Sequence, residues 1–451
     1  MPKIAVSISI IAAVSGLLMP IPAQATETNE SVSEFDTEYE HQTTLIESNG
    51  KWARQYAIEM LEQYPKLQTN PYAVLVSFTQ EASPNDINEL IGEIGAGVVD
   101  YFPDSGMYLL ETVEGNINAR NYLSQSDLIE FVEFDRVIRA DNISNDPRVD
   151  ELWGLTGDHG IRAEDAWAIS TSANEVIVAV IDSGVDIDHP DLSNVIWQNQ
   201  NEIPGNGIDD DKNGYIDDIH GWDFANNDAS VFDHGDGDTH GTHVAGIISS
   251  IIGDNPLRKI MVLKFINRQG GTVSGAINAI KYAVNNGAKI SNHSYGLYEY
   301  KQYFEEAIEV ARHHNHLLIA AAGNDARTDL FYPASFEQNN IISVAASNEN
   351  HQLAYFSNRG IQHVDIAAPG NAIYSTLPGG QYGLMSGTSM ASPLIAGIVG
   401  LGMSLSSQLS LNQLKDTLLE TSTQKNAFIG QVNSNGIVNA DEFISSLRNR
   451  S

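Results

Sequence analysis

The chain contains no cysteine, so no disulfide bond can restrain its fold. It is also poor in basic residues: 24 lysines and arginines stand against 58 aspartates and glutamates, for a formal net charge of −34. Because so acidic a surface repels nucleic acids and anionic membranes, we expect neither as a partner. Beyond residue 25, no uninterrupted apolar run reaches the length of about 18 residues that a membrane-spanning helix needs.

Residues 1–25 have the pattern of a secretory signal peptide: Lys3, an apolar stretch over residues 4–19, and an Ala-x-Ala ending at Ala25. The sequence therefore predicts export, to the extracellular space or the periplasm, and a soluble monomer after cleavage. Because this exported chain has no disulfides, bound Ca²⁺ is the more natural way to stabilise it. We expect no organic cofactor.

Two folding units are predicted after the signal peptide. Residues 26–140 form the first, and within it residues 70–137 show a β-α-β-β-α-β order, which is the ferredoxin-like arrangement. In residues 141–451, buried strands such as VIVAVI, residues 176–181, alternate with helical stretches. This alternation predicts an α/β domain with a mostly parallel sheet and helices on both faces.

Three short segments of the second unit carry chemically important side chains. Asp182 directly follows the β-branched run VIVAVI, at the sheet edge where sites form in α/β proteins. His240 opens HGTHVAGIISSII, whose apolar spacing predicts a buried helix, and Ser389 lies at the start of another, with Pro393 in its first turn. Taken alone, Asp182 could belong to an ordinary turn and Ser389 could be a helix N-cap.

Together the three residues match one chemistry. A serine hydroxyl is a weak nucleophile near neutral pH unless an imidazole takes its proton and a carboxylate orients that imidazole. The motifs, in the order Asp182, His240, Ser389, resemble those of the subtilisin-like serine peptidases, the subtilase family. The resemblance implies a subtilisin-like three-layer fold and a serine endopeptidase that cleaves proteins or peptides through an acyl-enzyme. Because neutral imidazole is required, activity should rise as the pH passes roughly 6.5 to 7.

The resemblance also implies how substrate is held. Asn324, after the strand HLLIAAA, would donate its amide to the oxyanion beside the backbone N–H of Ser389. GGTVSG, residues 270–275, would form one wall of the groove. In the opposite wall, Leu297 and Tyr298 stand where many relatives have a glycine, and Asp325 near the pocket would favour basic side chains. That wall would pair with the substrate backbone as an added β-strand through Ser294, Tyr295 and Gly296.

The first unit resembles the propeptides that inhibit subtilases. Its end would lie in the active site and be cut between residues 139 and 145, so the enzyme would be made as a zymogen whose propeptide is an intramolecular inhibitor. An unrelated accessory domain is the alternative. For the whole chain two other functions are open: a processing protease dedicated to one protein substrate, or a subtilase-fold binding module without catalysis.

The acidic segment over residues 206–224 predicts a calcium site. It matches the D-x-D-x-N-G start of an EF-hand-type loop, but His220 stands at the twelfth position where an EF-hand has glutamate. Asp217 or Asp218 would therefore complete the shell, and a solvated acidic turn is the alternative. The calcium loop that interrupts the helix after the histidine in many secreted subtilases is absent here. The predicted ligands are Asp209, Asp211, Asn213, Asp218 and the carbonyl of Tyr215.

Overall fold

The computed structural model describes residues 69–79, 81–102, 105–112, 115–140, 153–155, 160–163, 166–167, 174–234, 237–253, 255–405 and 409–450. The predicted signal peptide and the segment over residues 26–68 lie outside the described residues. So do residues 141–145, the later part of the predicted cleavage region. The described residues belong to one compact unit.

The N-terminal domain has the predicted β-α-β-β-α-β order. Its strands form an antiparallel sheet in the order β4-β1-β3-β2. Ser83 begins the first helix with a capping box, in which its hydroxyl accepts from the Asp86 N–H and the Asp86 carboxylate accepts from the Ser83 N–H. The elements are β1 (Thr69–Phe78), α1 (Pro84–Glu93), β2 (Ala96–Phe102), β3 (Met107–Thr112), α2 (Asn116–Leu123) and β4 (Ile129–Ala140).

Both faces of this small sheet are buried. Val74 and Leu110 point towards α1 and α2, whereas Leu75, Met107 and Leu109 join the core of the larger domain. Because successive side chains of a strand point to opposite faces, the domain has its own core and also packs against the larger domain.

The larger domain is built on a nine-stranded sheet in the order β16-β17-β13-β12-β11-β9-β5-β7-β6. Every pairing in it is parallel except that of β16 with β17. The prediction of an α/β domain with a mostly parallel sheet is confirmed. Its strands are β5 (Val176–Asp182), β6 (Gly221–Asp223), β7 (Arg258–Lys264), β9 (Ile290–His293), β11 (Leu317–Ala321), β12 (Ile341–Ser347), β13 (Ile366–Pro369), β16 (Thr423–Gln424) and β17 (Gly436–Ile437).

Helices cover both faces of the sheet. In β5, Val178 and Val180 pack on the layer that contains α3 and α6, while Ile177 and Ile181 pack on the layer that contains α4 and α5. Short strands lie outside the main sheet: β8 (Gly271–Thr272), β10 (Tyr295–Gly296), β14 (Ile373–Leu377) and β15 (Gln381–Met385). The helices are α3 (Thr239–Ile252), α4 (Val273–Asn285), α5 (Gln302–His313), α6 (Thr388–Leu405), α7 (Leu411–Glu420) and α8 (Ala440–Arg450).

The central helix α6 is long and apolar enough to cross a membrane, yet 94% of it is buried inside the protein. It is therefore a core helix. Its small residues allow close packing: a Cβ added at Gly397 would lie 2.8 Å from Ile251 of α3. The two helices thus touch through backbone and aliphatic side chains.

The order of the sheet determines where the polar residues meet. Strands β5, β9 and β11 are neighbours and run parallel, so their carboxyl ends lie at one edge. Asp182 ends β5, Ser294 follows β9, and Asn324 follows β11. This edge carries the candidate site.

Candidate active site

Asp182 and His240 are in direct contact. Asp182 Oδ1 lies 2.7 Å from Nδ1 of His240, the second residue of α3, and both side chains are buried. The same carboxylate oxygen accepts the backbone N–H of Ser183 at 2.7 Å. A neutral imidazole that donates from Nδ1 has Nε2 as its proton acceptor, so the carboxylate selects the tautomer that a general base needs.

Ser389 and Ser294 bind each other reciprocally. The Ser389 hydroxyl donates to the Ser294 carbonyl at 3.1 Å, and the Ser294 hydroxyl donates to the Ser389 carbonyl at 2.8 Å. The prediction that Pro393 lies in the first turn of its helix is wrong, because α6 begins at Thr388 and Pro393 lies inside it. Proline has no N–H to give to the carbonyl four residues earlier. The Ser294 hydroxyl satisfies that carbonyl instead.

Asn324 is held with its amide nitrogen available. Its side-chain oxygen accepts from the Thr388 N–H at 2.8 Å and from the Thr388 hydroxyl at 3.0 Å. Its Nδ2 is buried and has no hydrogen-bond partner among the described residues. A buried donor without a partner is uncommon in folded proteins. Here it lies beside Thr388, the residue before Ser389.

Strand β4 of the N-terminal domain occupies a groove between two short strands. On one side, Ala140 and Arg139 pair antiparallel with Tyr295 and Gly296 of β10. On the other side, residues 137 and 138 pair with Thr272 and Gly271 of β8. Since Tyr295 directly follows Ser294, the strand approaches the Ser294–Ser389 pair. The groove therefore holds residues 137–140 of the same chain by backbone pairing on both edges.

Aromatic side chains pack beside β10. The Tyr298 hydroxyl donates to Asp325 Oδ2 at 2.6 Å, and Arg327 lies over its ring at 5.0 Å. Phe331 packs under the backbone, so that a Cβ added at Gly296 would come within 2.4 Å of its ring. Phe331 had no local sequence signal, because its place opposite Gly296 depends on the tertiary fold.

A buried lysine lies behind the Asp182–His240 pair. Lys264, at the end of β7 and paired in register with Asp182, is fully buried and its Nζ contacts three carboxylates. Burial raises the pKa of Asp223 to about 7 and that of Asp238, two residues before His240, to about 6. The Nζ distances are 2.6 Å to Asp233, 3.2 Å to Asp238 and 3.5 Å to Asp223.

Residues 173–438 match the sequence profile of the subtilase family. The chain belongs to the subtilase family. It is 33% identical to the thermophilic serine proteinase of Bacillus sp. (strain AK1) over 343 residues, 73% of this chain and 77% of that protein. It is 30% identical to the halolysin-like extracellular serine protease Nep of Natrialba magadii over 309 residues, 67% of this chain and 53% of that protein.

A solved structure agrees with the fold. Fervidolysin from Fervidobacterium pennivorans, a keratinolytic enzyme related to subtilisin, superposes with a TM-score of 0.67 at 23% identity and covers 84% of this chain and 62% of its own. The subtilisin-like fold is thereby confirmed. Because the chain belongs to this family and is similar to named serine proteinases, it is a serine-type endopeptidase.

The helix that begins at Thr239 runs to Ile252 without interruption. His243, one turn into the helix, is a packing residue: its Nε2 lies 3.1 Å from the Gly383 carbonyl, and burial lowers its pKa to about 3.

The acidic segment of the subtilase does bring carboxylates together. Oxygens of Glu202, Asp209 and Asp211 lie within 4.8 Å of one another. Glu202 is buried and accepts three backbone N–H groups, from Asp210, Asp211 and Asp217. Sequence reasoning missed Glu202, because it precedes the EF-hand-type pattern.

The other predicted ligands lie around this cluster. Asn213 Nδ2 donates to Asp211 Oδ2 at 3.2 Å and to Asp218 Oδ2 at 2.9 Å. Asp218 also accepts from Tyr282 and Asn199, so side chains of the protein already bind its carboxylate. The Tyr215 ring packs 5.0 Å from that of Trp222, and its N–H donates to Asn213 Oδ1 at 2.8 Å.

Proposed function

We propose that the protein is a secreted serine endopeptidase, made as a zymogen, that cleaves peptide bonds with Asp182, His240 and Ser389. The contact between Asp182 and His240 carries the proposal, because it provides an oriented neutral base at the sheet edge where Ser389 lies. The signal-peptide pattern and an extracellular relative support secretion to the outside or the periplasm. We also propose that the mature enzyme is a monomer that binds neither nucleic acid nor membrane.

In the proposed mechanism, the Ser389 hydroxyl leaves the Ser294 carbonyl and gives its proton to His240 Nε2 as it attacks the substrate carbonyl. Asp182 keeps the imidazole oriented and stabilises its charged form. The amide of Asn324 and the N–H of Ser389, at the positive end of α6, bind the oxyanion. Removing one such donor typically lowers kcat by about 10²–10³. His240 then protonates the leaving amine, and water releases the acyl group.

The experiment compares wild type with Ser389→Ala on a diverse peptide mixture and maps every cut. We expect the variant to lose about 10⁶ in kcat. Ser404→Ala is the matched control, since its hydroxyl lies in the same helix and donates to Leu401. Wild type that cuts only one protein and spares casein would indicate the dedicated processing protease, and wild type that cuts nothing would indicate the binding module.

The contacts of the N-terminal domain support a role as the intramolecular inhibitor. Asp135 is buried and accepts the N–H and hydroxyl of Ser274, at the start of α4, at 3.1 and 2.8 Å. Asn278 of the same helix donates to Asp100 at 2.7 Å. With β4 in the groove, we expect wild type to remove residues 26–140 itself and Ser389→Ala to stay uncut. Wild type that stays uncut would indicate that a separate protease activates the zymogen.

We further propose that Glu202, Asp209 and Asp211 hold Ca²⁺. Among the described residues none of the three forms an ion pair with lysine or arginine, so a cation would offset their mutual repulsion. Oxygen donors are what Ca²⁺ prefers. The metal would stabilise the segment and take no part in the reaction. Further oxygens would come from Asn213, Asp218 and the carbonyl of Tyr215. No organic cofactor is proposed.

A further inference from the structure

A continuous line of four polar side chains lies beneath the wall of the groove, and we call it the histidine–tyrosine chain: Tyr295, His293, Ser291 and His316. The Tyr295 hydroxyl is 2.6 Å from His293 Nδ1, and His293 Nε2 is 2.7 Å from Ser291 Oγ. Ser291 Oγ is 2.7 Å from His316 Nε2, and His316 Nδ1 is 2.9 Å from the Ala288 carbonyl. All four side chains are fully buried.

Hydrogen-bonding rules give this chain a single direction. The Ala288 carbonyl can only accept, so His316 carries its proton on Nδ1 and accepts at Nε2. The Ser291 hydroxyl must then donate to His316, and its oxygen accepts from His293 Nε2. His293 therefore accepts at Nδ1, from the Tyr295 hydroxyl. Every group is satisfied only while both imidazoles are neutral.

The environment favours that neutral form. Burial lowers the pKa of His316 to about 4 and holds the pKa of His293 well below its usual value. Burial also raises the pKa of the Tyr295 phenol well above its usual value, and the nearby Asp182 charge adds to this. The tyrosine end of the chain therefore lies within electrostatic reach of the proposed triad.

The Tyr295 ring also connects the two walls of the groove. It contacts the Phe265 ring, with 4.6 Å between centroids and 64° between planes. Phe265 in turn lies directly under β8, since a Cβ added at Gly271 would be 2.6 Å from its ring. The hydrogen bond to His293 prevents the Tyr295 ring from shifting along Phe265. A buried contact between these two rings therefore links β10 to β8.

We propose that the histidine–tyrosine chain is a positioning network for substrate: it holds Tyr295 against Phe265 and so sets the separation of the two strands that grip an extended peptide. The inference rests on the proposed endopeptidase function. The four side chains of the histidine–tyrosine chain act on substrate through the backbone of β9 and β10.

The test uses protein produced from the full-length chain, with Tyr295→Phe, Ser291→Ala and the double variant. Each is assayed on a peptide long enough to pair with both β8 and β10 and on a single-residue ester that cannot. The measured quantity is kcat/KM for the peptide divided by kcat/KM for the ester. Losing one buried hydrogen bond should lower this ratio about tenfold, chiefly through a higher KM for the peptide. Since either substitution interrupts the same series, the double variant should lose no more than the worse single variant.

Two controls remove a hydroxyl elsewhere: Tyr382→Phe, whose hydroxyl donates to Asp191, and Ser404→Ala. Both should keep the wild-type ratio, and urea unfolding of every variant separates lost stability from lost positioning. Equal losses on both substrates, or losses that multiply in the double variant, would overturn the inference. Wild type that hydrolyses neither substrate would instead overturn the proposed function.

Discussion

Two clusters of carboxylates in this subtilase deal with the same repulsion in different ways. In the buried cluster, Asp223, Asp233 and Asp238 surround the ammonium of Lys264, which comes from the neighbouring strand β7. In the second cluster, which we call the acidic loop, the carboxylates of Glu202, Asp209 and Asp211 converge. Among the described residues no basic side chain pairs with them. One cluster has its cation built into the fold, and the other would have to draw it from solution.

This difference separates two kinds of stability. The ammonium of Lys264 is present at any calcium concentration, whereas a bound ion contributes according to its concentration. The buried cluster supports the start of α3, where His240 lies, because Asp238 Oδ2 also accepts the N–H of Asp233 at 2.5 Å. The acidic loop instead lies in a largely exposed turn. The site that must keep its geometry is thus the one with the internal cation.

Removing the internal cation should have the largest effect on stability. Lys264→Met leaves the buried carboxylates of Asp223 and Asp238, and the partly exposed one of Asp233, without their partner, and we expect the free energy of unfolding to fall by about 3–5 kcal/mol. The matched control is Lys259→Met in the same strand, since Lys259 Nζ donates to the exposed carbonyl of Asn194. Urea unfolding measures both. Equal, small losses for the two lysines would show that the buried cluster does not need its cation.

Much of this site was readable from local sequence. The run VIVAVI predicted a strand buried on both faces, and it places Asp182 at the sheet edge. HGTH and SGTS predicted helix starts, which is where His240 and Ser389 lie. In each case the signal is confined to about a dozen adjacent residues, because strand and helix periods are local properties.

The rest required contacts between distant segments. Lys264 reads as one polar residue ending an apolar strand, and its partners become visible only when β6, β7 and the start of α3 are adjacent. His316 and Ser291 are neighbours because β11 pairs with β9. The misplacement of Pro393 has the same origin: a hydroxyl from residue 294, not the helix itself, makes the proline tolerable.

Withdrawing the proposed calcium ion from the acidic loop should have a smaller effect on stability. At free Ca²⁺ one hundred times its dissociation constant, binding adds about 2.7 kcal/mol to the stability of the fold, and excess EDTA should remove it and lower the melting temperature. Asp211→Asn should reduce the response to EDTA, whereas Glu349→Gln, an exposed carboxylate elsewhere, should leave it unchanged. Calorimetry with and without EDTA measures this. An unchanged melting curve in excess EDTA would show that the acidic loop does not bind a stabilising calcium ion.

The pH dependence of the free energy of unfolding should also distinguish the buried cluster from the acidic loop. Burial raises the pKa of Asp223 to about 7, so the folded protein keeps a proton there that the unfolded chain has already released above its ordinary pKa of 3.8. Stability from this group is therefore present at low pH and is lost as the pH rises through about 7. Between pH 5 and 6 the slope should be about 1.4 kcal/mol per pH unit.

Other groups titrate in the same range, so the measurement is a difference. Wild type and Asp223→Asn are unfolded in urea at pH 5 and 6, and the stability of wild type relative to the variant should fall on going to the higher pH. Asp209→Asn in the acidic loop is the comparison. A slope for Asp223→Asn equal to that of wild type would mean that Lys264 keeps Asp223 ionised, and the buried cluster would then carry its full negative charge at both pH values.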